Sequence, residues 1–458
     1  CSGHEQAVAD HICQLASGWK LEYQQDRVGN VLVRLPATPG HEQATGIILQ
    51  AHLDMVCEKN SEVKHDFECE PIQAVIDGDW VRAIGTSLGS DNGIGVATCL
   101  AVMEDRSLIH GPVECLFTVD EETGLTGAYQ LKKGVLRGKI LINLDSEDEG
   151  TFTIGCAGGA DSELTLPVQR QNRKARNLLV ITLKGLRGGH SGLDINLGRG
   201  NAIKLLARLL VEAAAKYKFE LVSFNGGSKR NAIPREAVAV LAVDPGRQKG
   251  LSQQLKKGFG AIKFEYRVTD PEMKLEIKKS QEPGHPLAAE SQSRLLNLIL
   301  SLPHGVVAMH PEISGLVETS SNLAIVETRE KTVSIICNTR SSVGTALEAV
   351  RLVIKANAGL AGARILQPDG YPAWTPDLKS ALLQRMIEIY RQLFGKEPEV
   401  KAVHAGLECG IIGKKYPGLD MISIGPTIRY PHSPEEKANI ESVEKFWRLV
   451  VKALKELA

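Results

Sequence analysis

The sequence predicts an α/β fold with a mostly parallel central sheet, interrupted by an inserted α+β domain. Short apolar runs alternate with helix-like segments over the first 170 residues, the composition becomes polar and basic near residue 170, and the α/β pattern returns after residue 372. At 458 residues the chain also exceeds what a single core usually supports. We therefore expect a first domain in two parts, 1–170 and 373–458, and an inserted domain at 171–372.

Three apolar runs define the predicted strands of the first part. They cover residues 46–52, 113–119 and 139–145, and their lengths and aliphatic composition are typical of buried strands. Between the first two, the segment GIGVATCLAVMED has apolar residues at helical spacing. Apolar strands separated by helices indicate a parallel sheet covered on both faces.

The inserted domain begins after the basic segment QRQNRKARN, a plausible domain boundary. It contains strand-like runs, such as NLLVITLKGL and residues 237–243, and long helix-like segments such as AIKLLARLLVEAAAKY. After GYPAWTPD come the helix-like SALLQRMIEIYRQLFG, the strand-like MISIG and a closing helix. This order predicts an open α+β sheet inserted between two parts of one α/β domain.

Composition excludes several classes of partner. Lys plus Arg (54) balance Asp plus Glu (54), so nucleic acid and anionic membranes are disfavoured, and small neutral or zwitterionic ligands fit better. The sequence has no apolar run of membrane-spanning length and no signal-peptide pattern, which predicts a cytoplasmic protein. Because it begins with Cys rather than Met, we expect the natural chain to have residues before this one.

Cysteine usage fits the same compartment. The nine cysteines are scattered, odd in number and never spaced as C-x-x-C. We therefore expect free thiols rather than disulfides or a cysteine-based zinc site.

Polar side chains that can bind metals follow each of the three predicted strands. His52 and Asp54 follow the first, Glu121 and Glu122 the second, and Asp145 the third. In open α/β sheets the carboxyl ends of the strands form the ligand crevice, so these residues should converge. Taken alone, the three adjacent carboxylates of TVDEETG would be a solvated turn more often than a site.

Two aspartates complete the N-terminal set. His52 and Asp54 lie two residues apart and point to the same side of an extended chain, so Asp54 can orient the imidazole, although an isolated H-x-D is usually a surface pair. Asp91 lies in the Gly-rich segment GTSLGSDNGIG, where it could instead be a helix cap. A phosphate loop is disfavoured because both glycine signatures of such loops are incomplete.

His432, between two prolines in YPHSP, supplies the imidazole that the N-terminal set lacks, although a single loop histidine usually has no such role. Two imidazoles and three carboxylates suit zinc, and a carboxylate that bridges two ions is typical of two-metal hydrolases. One glutamate would remain as general base for a metal-acidified water.

These residues and their order resemble the dinuclear zinc peptidase family that includes aminoacylase, carboxypeptidase G and peptidase V. The similarity is greatest to its branch of bacterial cytosolic aminoacyl-histidine dipeptidases. The motifs that carry it run from about residue 28 to 445: LQAHLDMV, LGSDNGIG, DEETG, ILINLDSEDEG, GCAGG, GGHSG, RNAIPREA, HAGLECG, SIGPT and PHSP.

The resemblance implies a role for each residue of the set. One zinc ion would be bound by His52, Asp91 and Asp145. The other would be bound by Asp91, Glu122 and His432. Glu121 would be the general base, and Asp54 would orient His52.

The resemblance further implies that the inserted domain is a lid that closes over the crevice. His190 of GGHSG would stabilise the oxyanion, and Arg340 of CNTRSS would bind the substrate's terminal carboxylate. By sequence alone these two would more often be a surface histidine and an ion-pair partner. Asn231 and Glu408 join the expected substrate-binding set, but HAGLECG departs from the Gly-Thr-Asp type sequence of many relatives, which leaves substrate preference open.

The predicted function is that of a metallo-dipeptidase with two Zn²⁺ per chain, and Co²⁺ and Mn²⁺ are the expected substitutes for zinc. It would hydrolyse unblocked dipeptides, Xaa-His and β-alanyl-histidine among them, by a zinc-bound hydroxide with Glu121 as base. The alternatives are an aminoacylase-like amide hydrolase and a catalytically silent metal-binding protein; the presence of Glu121 argues against the latter. A homodimer is an open possibility, and the long lid suggests that His190 acts within its own chain.

Overall fold

The computed structural model describes residues 1–458, and their contacts divide the chain into two compact units. Unit 1 comprises Cys1–Cys156, Trp374–Ala402 and Leu407–Ala458. Unit 2 comprises Ala157–Ala373 and Val403–Gly406. None of the helices combines the length and the apolar composition that a bilayer-spanning helix needs.

Unit 1 contains helices on both sides of the insertion. The helices are α1 (Gln6–Gly18), α2 (Ser90–Glu104), α3 (Glu121–Gly124), α4 (Thr126–Gln130), α9 (Ala381–Phe394), α10 (Glu408–Lys415) and α11 (Ile440–Glu456). The strands are β1 (Glu22–Gln25), β2 (Val31–Leu35), β3 (Ile47–His52), β4 (Ala74–Asp77), β5 (Trp80–Ala83), β6 (Val113–Thr118), β7 (Ile140–Asn143), β8 (Thr151–Cys156), β18 (Glu399–Val403), β19 (Asp420–Ser423), β20 (Ile428–Arg429) and β21 (Lys437–Asn439).

The main sheet of unit 1 has eight strands in the order β1-β2-β6-β3-β7-β19-β8-β18. The four neighbours β6, β3, β7 and β19 are parallel, whereas the pairs β1–β2, β2–β6 and β19–β8 are antiparallel. Every residue of β3 and β6 is buried, as expected for central strands covered on both faces. The three strands expected from the apolar runs are therefore central, and the predicted fold class is confirmed.

Two further features belong to unit 1. A second sheet joins β20, β21, β5 and β4. At the points where the chain leaves and re-enters the unit, Cys156 and Trp374 pair with each other through two backbone hydrogen bonds of 2.9 and 3.0 Å. The two ends of the insertion are thus adjacent on unit 1.

Unit 2 is built on one nine-stranded sheet in the order β13-β10-β12-β11-β15-β16-β9-β17, with β14 paired to β15. Its strands are β9 (Gly158–Pro167), β10 (Leu178–Lys184), β11 (Glu220–Gly226), β12 (Ala237–Ala242), β13 (Lys274–Ser280), β14 (Gly305–Met309), β15 (Val317–Thr328), β16 (Thr332–Ser341) and β17 (Arg364–Leu366). Its helices are α5 (Ala202–Ala214), α6 (Gln248–Glu265), α7 (Ala289–Ser301) and α8 (Gly344–Leu360), with a 3₁₀ turn at Pro245–Arg247.

The core of unit 2 lies between its sheet and its four helices. Alternate residues of the strands, such as Ile181 and Leu241, are buried against leucines of the helices, such as Leu206 and Leu255. Period-two burial on one side of a sheet and a buried stripe on each helix are what the sequence pattern predicts for an α+β layer.

The expectation that all cysteines are free thiols is wrong at one pair. Cys1 and Cys57 form a disulfide, with their Cα atoms 5.6 Å apart, a separation that suits the bond. The pairing depends on the path of the chain between them, which spacing alone does not reveal. The other seven cysteines are free, and five of these are buried.

Candidate metal centre

Parallel strands bring the first group of polar side chains to one edge of the unit 1 sheet. β3 ends at His52, which lies beside Thr118, the last residue of β6. Glu121 begins α3 just after β6, and Asp145 follows the end of β7 by two residues. The side chains that the sequence analysis selected after these strands therefore emerge at the same carboxyl edge.

Asp91 lies between the two imidazoles. Its Oδ1 is 3.2 Å from Nε2 of His52, and its Oδ2 is 3.1 Å from Nε2 of His432. His432 enters from a loop of the C-terminal segment, in which it adopts a positive φ of 59°. His52 and His432 thus face the two different oxygens of one carboxylate, although they lie 39 and 341 positions from Asp91 in the sequence.

Two more carboxylates complete the group. Asp145 Oδ1 lies 3.1 Å from Nε2 of His52, and Glu122 Oε1 lies 2.9 Å from Nε2 of His432. Ligand atoms of His52, Asp91 and Glu122 all lie within 4.8 Å of one another, so this trio could hold a metal ion. The structure brings together all five side chains that the sequence analysis named as ligands, and their role as ligands stays a prediction.

The chemistry of this group fits a divalent cation. Burial disfavours a charged ring at His52, yet the carboxylates of Asp145, Asp54 and Asp91 raise its pKa well above the ordinary value. No Lys or Arg side chain forms an ion pair with any carboxylate of the group. Carboxylates packed this closely repel one another unless a cation lies among them, and mixed imidazole and carboxylate donors suit zinc.

Asp54 joins the metal-facing group to the loop after β6. Its Oδ1 lies 3.4 Å from Nδ1 of His52 and accepts a hydrogen bond of 3.0 Å from the N–H of Glu121. Its Oδ2 accepts one of 3.1 Å from the N–H of Glu122. One buried carboxylate therefore holds an imidazole and the first turn of α3 together.

Glu121 differs from its neighbour Glu122, which faces His432. Burial raises the pKa of Glu121 to about 9, and the charges of Asp145 and Glu408 act in the same direction. A cation held by the neighbouring carboxylates would oppose this shift. With such a cation bound, the pKa of Glu121 would move towards neutral pH, where a carboxylate can act as a general base.

Asp120, for which the sequence suggested no role, shapes the turn before Glu121. It has a positive φ of 54°, and its carboxylate accepts hydrogen bonds from the hydroxyl groups of Thr123 and Thr126. Aspartate tolerates this left-handed conformation better than most residues. The three adjacent carboxylates of TVDEETG thus occupy three different environments.

Glu436 is a residue that the sequence analysis missed. The residue is 2% exposed, and its carboxylate accepts hydrogen bonds from the N–H groups of Leu88, Gly89 and Ser90, at 2.7, 3.0 and 2.8 Å. It thereby caps the start of α2 and fixes the loop that carries Asp91. The only sequence signal is a glutamate four residues after His432. It predicts nothing by itself, because the contact with residues 88–90 forms only in the folded chain.

Glu408 is the first residue of α10, and its side chain reaches the interior of the unit 1 sheet at β3 and β6. It is 1% exposed, and its Oε2 accepts hydrogen bonds from Nε2 of Gln50 (2.6 Å) and from Oγ1 of Thr118 (2.8 Å). Burial raises its pKa to about 7. Its expected contact with substrate stays a prediction, whereas its contacts with β3 and β6 are part of the sheet's interior.

His190, Arg340 and Asn231 belong to unit 2. Nδ1 of His190 accepts hydrogen bonds from the N–H groups of Gly192 and Leu193, at 3.3 and 3.1 Å. The proton of the neutral ring therefore resides on Nε2. Burial and the nearby charge of Arg340 lower the pKa of His190, which favours that neutral form.

Arg340 is 7% exposed and held in place from two sides. Its Nε donates to Oδ1 of Asn338 (3.2 Å) and its Nη1 to the hydroxyl of Tyr371 (2.8 Å), while Nη2 lies 3.5 Å from Nε2 of His190. Asn231 is exposed, and its backbone carbonyl accepts a hydrogen bond of 2.9 Å from the N–H of Ser191. Unit 2 thus brings His190, predicted to stabilise the oxyanion, into one region with Arg340 and Asn231, predicted to bind substrate; these roles stay predictions.

Comparison with known proteins places this arrangement in a family. The chain is 42% identical over 457 residues to the cytosol non-specific dipeptidase of Escherichia coli, an alignment that covers 100% of this chain and 94% of that protein. It superposes with a TM-score of 0.93 on the crystal structure of the aminoacylhistidine dipeptidase of Vibrio alginolyticus, at 42% identity, over 99% of this chain and 93% of that one.

A more distant structure shares the fold alone. Aminopeptidase PepT of Bacillus cereus aligns over 100% of this chain and 94% of its own, with a TM-score of 0.56 and 16% identity. The model of peptidase family M20/M25/M40 matches residues 48–456. This match covers every side chain of the group at the carboxyl edge, and the chain therefore belongs to peptidase family M20/M25/M40.

Proposed function

We propose that this peptidase hydrolyses unblocked dipeptides with two divalent metal ions, zinc in the first instance, and that it accepts Xaa-His substrates. The observation that carries the proposal is the position of Asp91, whose two oxygens face two different imidazoles at 3.2 and 3.1 Å. A carboxylate placed in this way suits a bridging ligand between two ions.

The donors divide into two sets that share this carboxylate. His52, Asp91 and Asp145 would hold one ion, and Asp91, Glu122 and His432 the other. When bound, such ions acidify water and polarise a carbonyl group. The remaining chemistry belongs to side chains of the chain itself.

Glu121 would move the proton. Its carboxylate would accept a proton from the attacking water and deliver it to the nitrogen of the leaving amino acid. Burial and neighbouring negative charge raise the pKa of Glu121, and bound cations would lower it again, towards the range in which one carboxylate can both accept and return a proton. Asp54 would keep Glu121 in position through the N–H of Glu121 and would orient His52 through Nδ1.

His190 and Arg340 would act on the substrate itself. With the proton of His190 on Nε2, that atom can donate a hydrogen bond to a developing oxyanion. The guanidinium of Arg340 is suited to a terminal carboxylate, because two of its nitrogens are already fixed by neutral partners, Asn338 and Tyr371. The lid function of unit 2, the role of Asn231 and that of Glu408 remain predictions from the family resemblance.

The preference for Xaa-His dipeptides rests on the relatives. The Vibrio relative is named an aminoacylhistidine dipeptidase, and the Escherichia coli relative is named a non-specific dipeptidase. This chain is 42% identical to each of them. A substrate range that includes Xaa-His and extends beyond it is consistent with both names.

A panel of substrates tests the proposal. The protein is stripped of metal, restored with zinc, cobalt or manganese, and assayed on β-alanyl-histidine, alanyl-histidine, alanyl-leucine and N-acetylated alanyl-histidine. We expect turnover of the unblocked dipeptides only after metal is restored, with metal content rising to two ions per chain. Hydrolysis confined to N-acylated substrates would instead support an aminoacylase, and equal turnover in fully stripped protein would refute the metal requirement.

Location and assembly complete the proposal. We propose a cytoplasmic protein, which the name of the Escherichia coli relative supports. Fractionation of the source cells tests this. We also propose that His190 acts within its own chain whether or not the protein dimerises, and the activity of an isolated monomer, separated by size-exclusion chromatography with light scattering, tests that.

A further inference from the structure

The first residues of the chain lie against the loop that carries the two glutamates. The hydroxyl of Ser2 donates a hydrogen bond of 2.7 Å to Oδ2 of Asp54. Oε1 of Glu5 accepts one of 3.0 Å from the N–H of Asp120 and one of 2.9 Å from the N–H of Gly3. Two side chains of one short segment therefore bond to Asp120, which precedes Glu121, and to Asp54, which accepts from the N–H groups of Glu121 and Glu122.

We infer that Ser2 and Glu5 are positioning residues, which set the orientation of Asp54 and of the Asp120–Glu122 turn and thereby the place of Glu121. The inference rests on the proposed function, because it assigns the segment a part in proton transfer by Glu121. Neither residue touches the metal-facing atoms, and both act through others.

The contact of Ser2 completes the set of donors to Asp54. Oδ1 of Asp54 accepts from the N–H of Glu121, and Oδ2 accepts from the N–H of Glu122 and from Ser2. The hydroxyl approaches more closely than either N–H group, at 2.7 Å against 3.0 and 3.1 Å. Without the hydroxyl of Ser2, Oδ2 would keep only the N–H of Glu122 as a donor. The orientation of the carboxylate about its Cβ–Cγ bond would then be less firmly fixed.

Glu5 acts on Asp120, the residue that precedes Glu121. It is only 8% exposed, and its carboxylate reaches over the N–H of Asp120, where the backbone adopts a positive φ of 54°. A charged acceptor on a backbone N–H forms one of the stronger hydrogen bonds in proteins. This bond fixes the residue that enters the turn, whereas Asp54 fixes the two residues that follow it.

The segment itself is held at both ends. Cys1 is joined to Cys57 by the disulfide, and Cys57 lies three residues beyond Asp54. On the other side, α1 begins at Gln6 and is anchored by Ala9 and Ile12, which are fully buried. Residues 2–5 therefore have little freedom, and their side chains can transmit a fixed geometry to the turn.

Substitutions that remove or retain each hydrogen bond test the inference in the full, zinc-loaded protein. Ser2→Ala and Glu5→Ala remove the bonds, whereas Ser2→Thr and Glu5→Gln keep a hydroxyl and an acceptor oxygen. Gln6→Ala is the matched control, because Gln6 lies next to this segment but bonds only to exposed Asp10, at 2.7 Å. We expect kcat to fall roughly tenfold or more in the two removing variants, with KM and metal content close to those of the parent.

Rescue separates positioning from general stability. The Thr and Gln variants should recover most of kcat, which a loss of stability alone would not produce. A kcat for folded Ser2→Ala and Glu5→Ala equal to that of Gln6→Ala overturns the inference. Should Glu5→Ala not fold, Ser2→Ala and its Ser2→Thr rescue decide the question.

A second readout does not depend on activity. Amide hydrogen exchange of residues 120–122 is measured in metal-free protein, where we expect faster exchange in Glu5→Ala than in Gln6→Ala, since the acceptor of the Asp120 N–H is gone. Equal exchange overturns the inference even if dipeptides are hydrolysed. If the parent cleaves no dipeptide, the proposed function fails, and this measurement still decides whether the segment holds the turn.

Discussion

Glu436 accepts two hydrogen bonds from Ser90, one from its N–H at 2.8 Å and one from its hydroxyl at 2.5 Å. The two residues are 346 positions apart, and the bond brings the C-terminal segment that carries His432 to the loop that carries Asp91. Glu436 thus joins the segment of His432 to the segment of Asp91, although it binds neither a metal nor a substrate in the proposed scheme.

We expect Glu436→Ala to weaken both the fold and the metal centre. The substitution leaves the N–H groups of Leu88, Gly89 and Ser90, at the start of α2, without their acceptor, which should lower the free energy of unfolding by about 2 kcal/mol or more and metal affinity by roughly 10–100-fold. Denaturant unfolding and metal titration measure the two effects. Exposed Glu435 provides the control, and a Glu435→Ala variant as impaired as Glu436→Ala would count against this role.

Glu121→Gln should abolish turnover while both metal ions remain bound. The amide keeps the size of the side chain but cannot accept and return a proton, so kcat should fall by roughly 10²–10⁴-fold. Asp120→Asn removes the adjacent charge, keeps a residue that tolerates a positive φ, and should retain most of the activity. Full activity in Glu121→Gln would remove this residue from the mechanism.

Stability should decline as pH falls through the range in which His404 titrates in the unfolded chain. Burial, with the charge of Arg340, lowers the pKa of His404 from 6.5 to about 4, and its Nε2 lies 2.7 Å from the hydroxyl of Ser320. Between these values the unfolded state binds more protons than the folded state, so the free energy of unfolding falls with falling pH, by roughly 1–3 kcal/mol for this one group.

The corresponding measurement is urea unfolding between about pH 4 and 7 for the parent and for His404→Gln. The variant has no imidazole at this position, so its stability should depend less steeply on pH. Parallel curves for the two proteins would show that His404 does not contribute to the pH dependence.

Gly192→Ala should disturb the loop that carries His190. A Cβ atom at Gly192 would lie 2.2 Å from the backbone oxygen of His404 and 3.3 Å from Cδ of Arg340. Relief of this overlap should cost about 1–3 kcal/mol and lower kcat/KM for dipeptides. Gly260→Ala is the control, since no atom lies within 4 Å of its added Cβ in the middle of α6, and it should be neutral or stabilising.

Loss of the Cys1–Cys57 disulfide should lower stability under non-reducing conditions. The bond closes a separation of 56 residues, for which roughly 2–4 kcal/mol is typical. Cys57→Ser, and the parent in excess thiol, should therefore unfold at lower denaturant concentration. Cys69→Ser, at an exposed free cysteine, should behave like the parent. An unfolding midpoint of the parent unchanged by thiol would contradict a stabilising bond.

Much of the α/β layer could be predicted because its signals are local. Short apolar runs predict β3 and β6, all of whose residues are buried, and a parallel sheet directs the residues at the ends of its strands, such as His52 and Asp145, to one edge. The roles of those residues came from the order of motifs in a family rather than from spacing.

What could not be predicted depends on contacts between distant segments. Glu436, Ser2 and Cys1 have ordinary sequence surroundings, and each acquires its partner only when a terminal segment packs against the loops around residues 54–90. The hydrophobic periodicity of a sequence carries no information about such long-range contacts. The antiparallel outer strands were missed for a similar reason, since β1 and β2 are short and β8 pairs with a strand from the far end of the chain.

The position of β19 has a consequence for the order in which the protein folds during synthesis. β19, at residues 420–423, lies between β7 and β8, which are made more than 260 residues earlier. Until it emerges from the ribosome, β7 and β8 lack their common neighbour, and the sheet has an open gap. The strands of unit 2, in contrast, all come from residues 158–366 and can pair as soon as they are made. The inserted unit should therefore be folded while its host is still incomplete, with the Cys156–Trp374 pairing closing the long loop between the halves of the host.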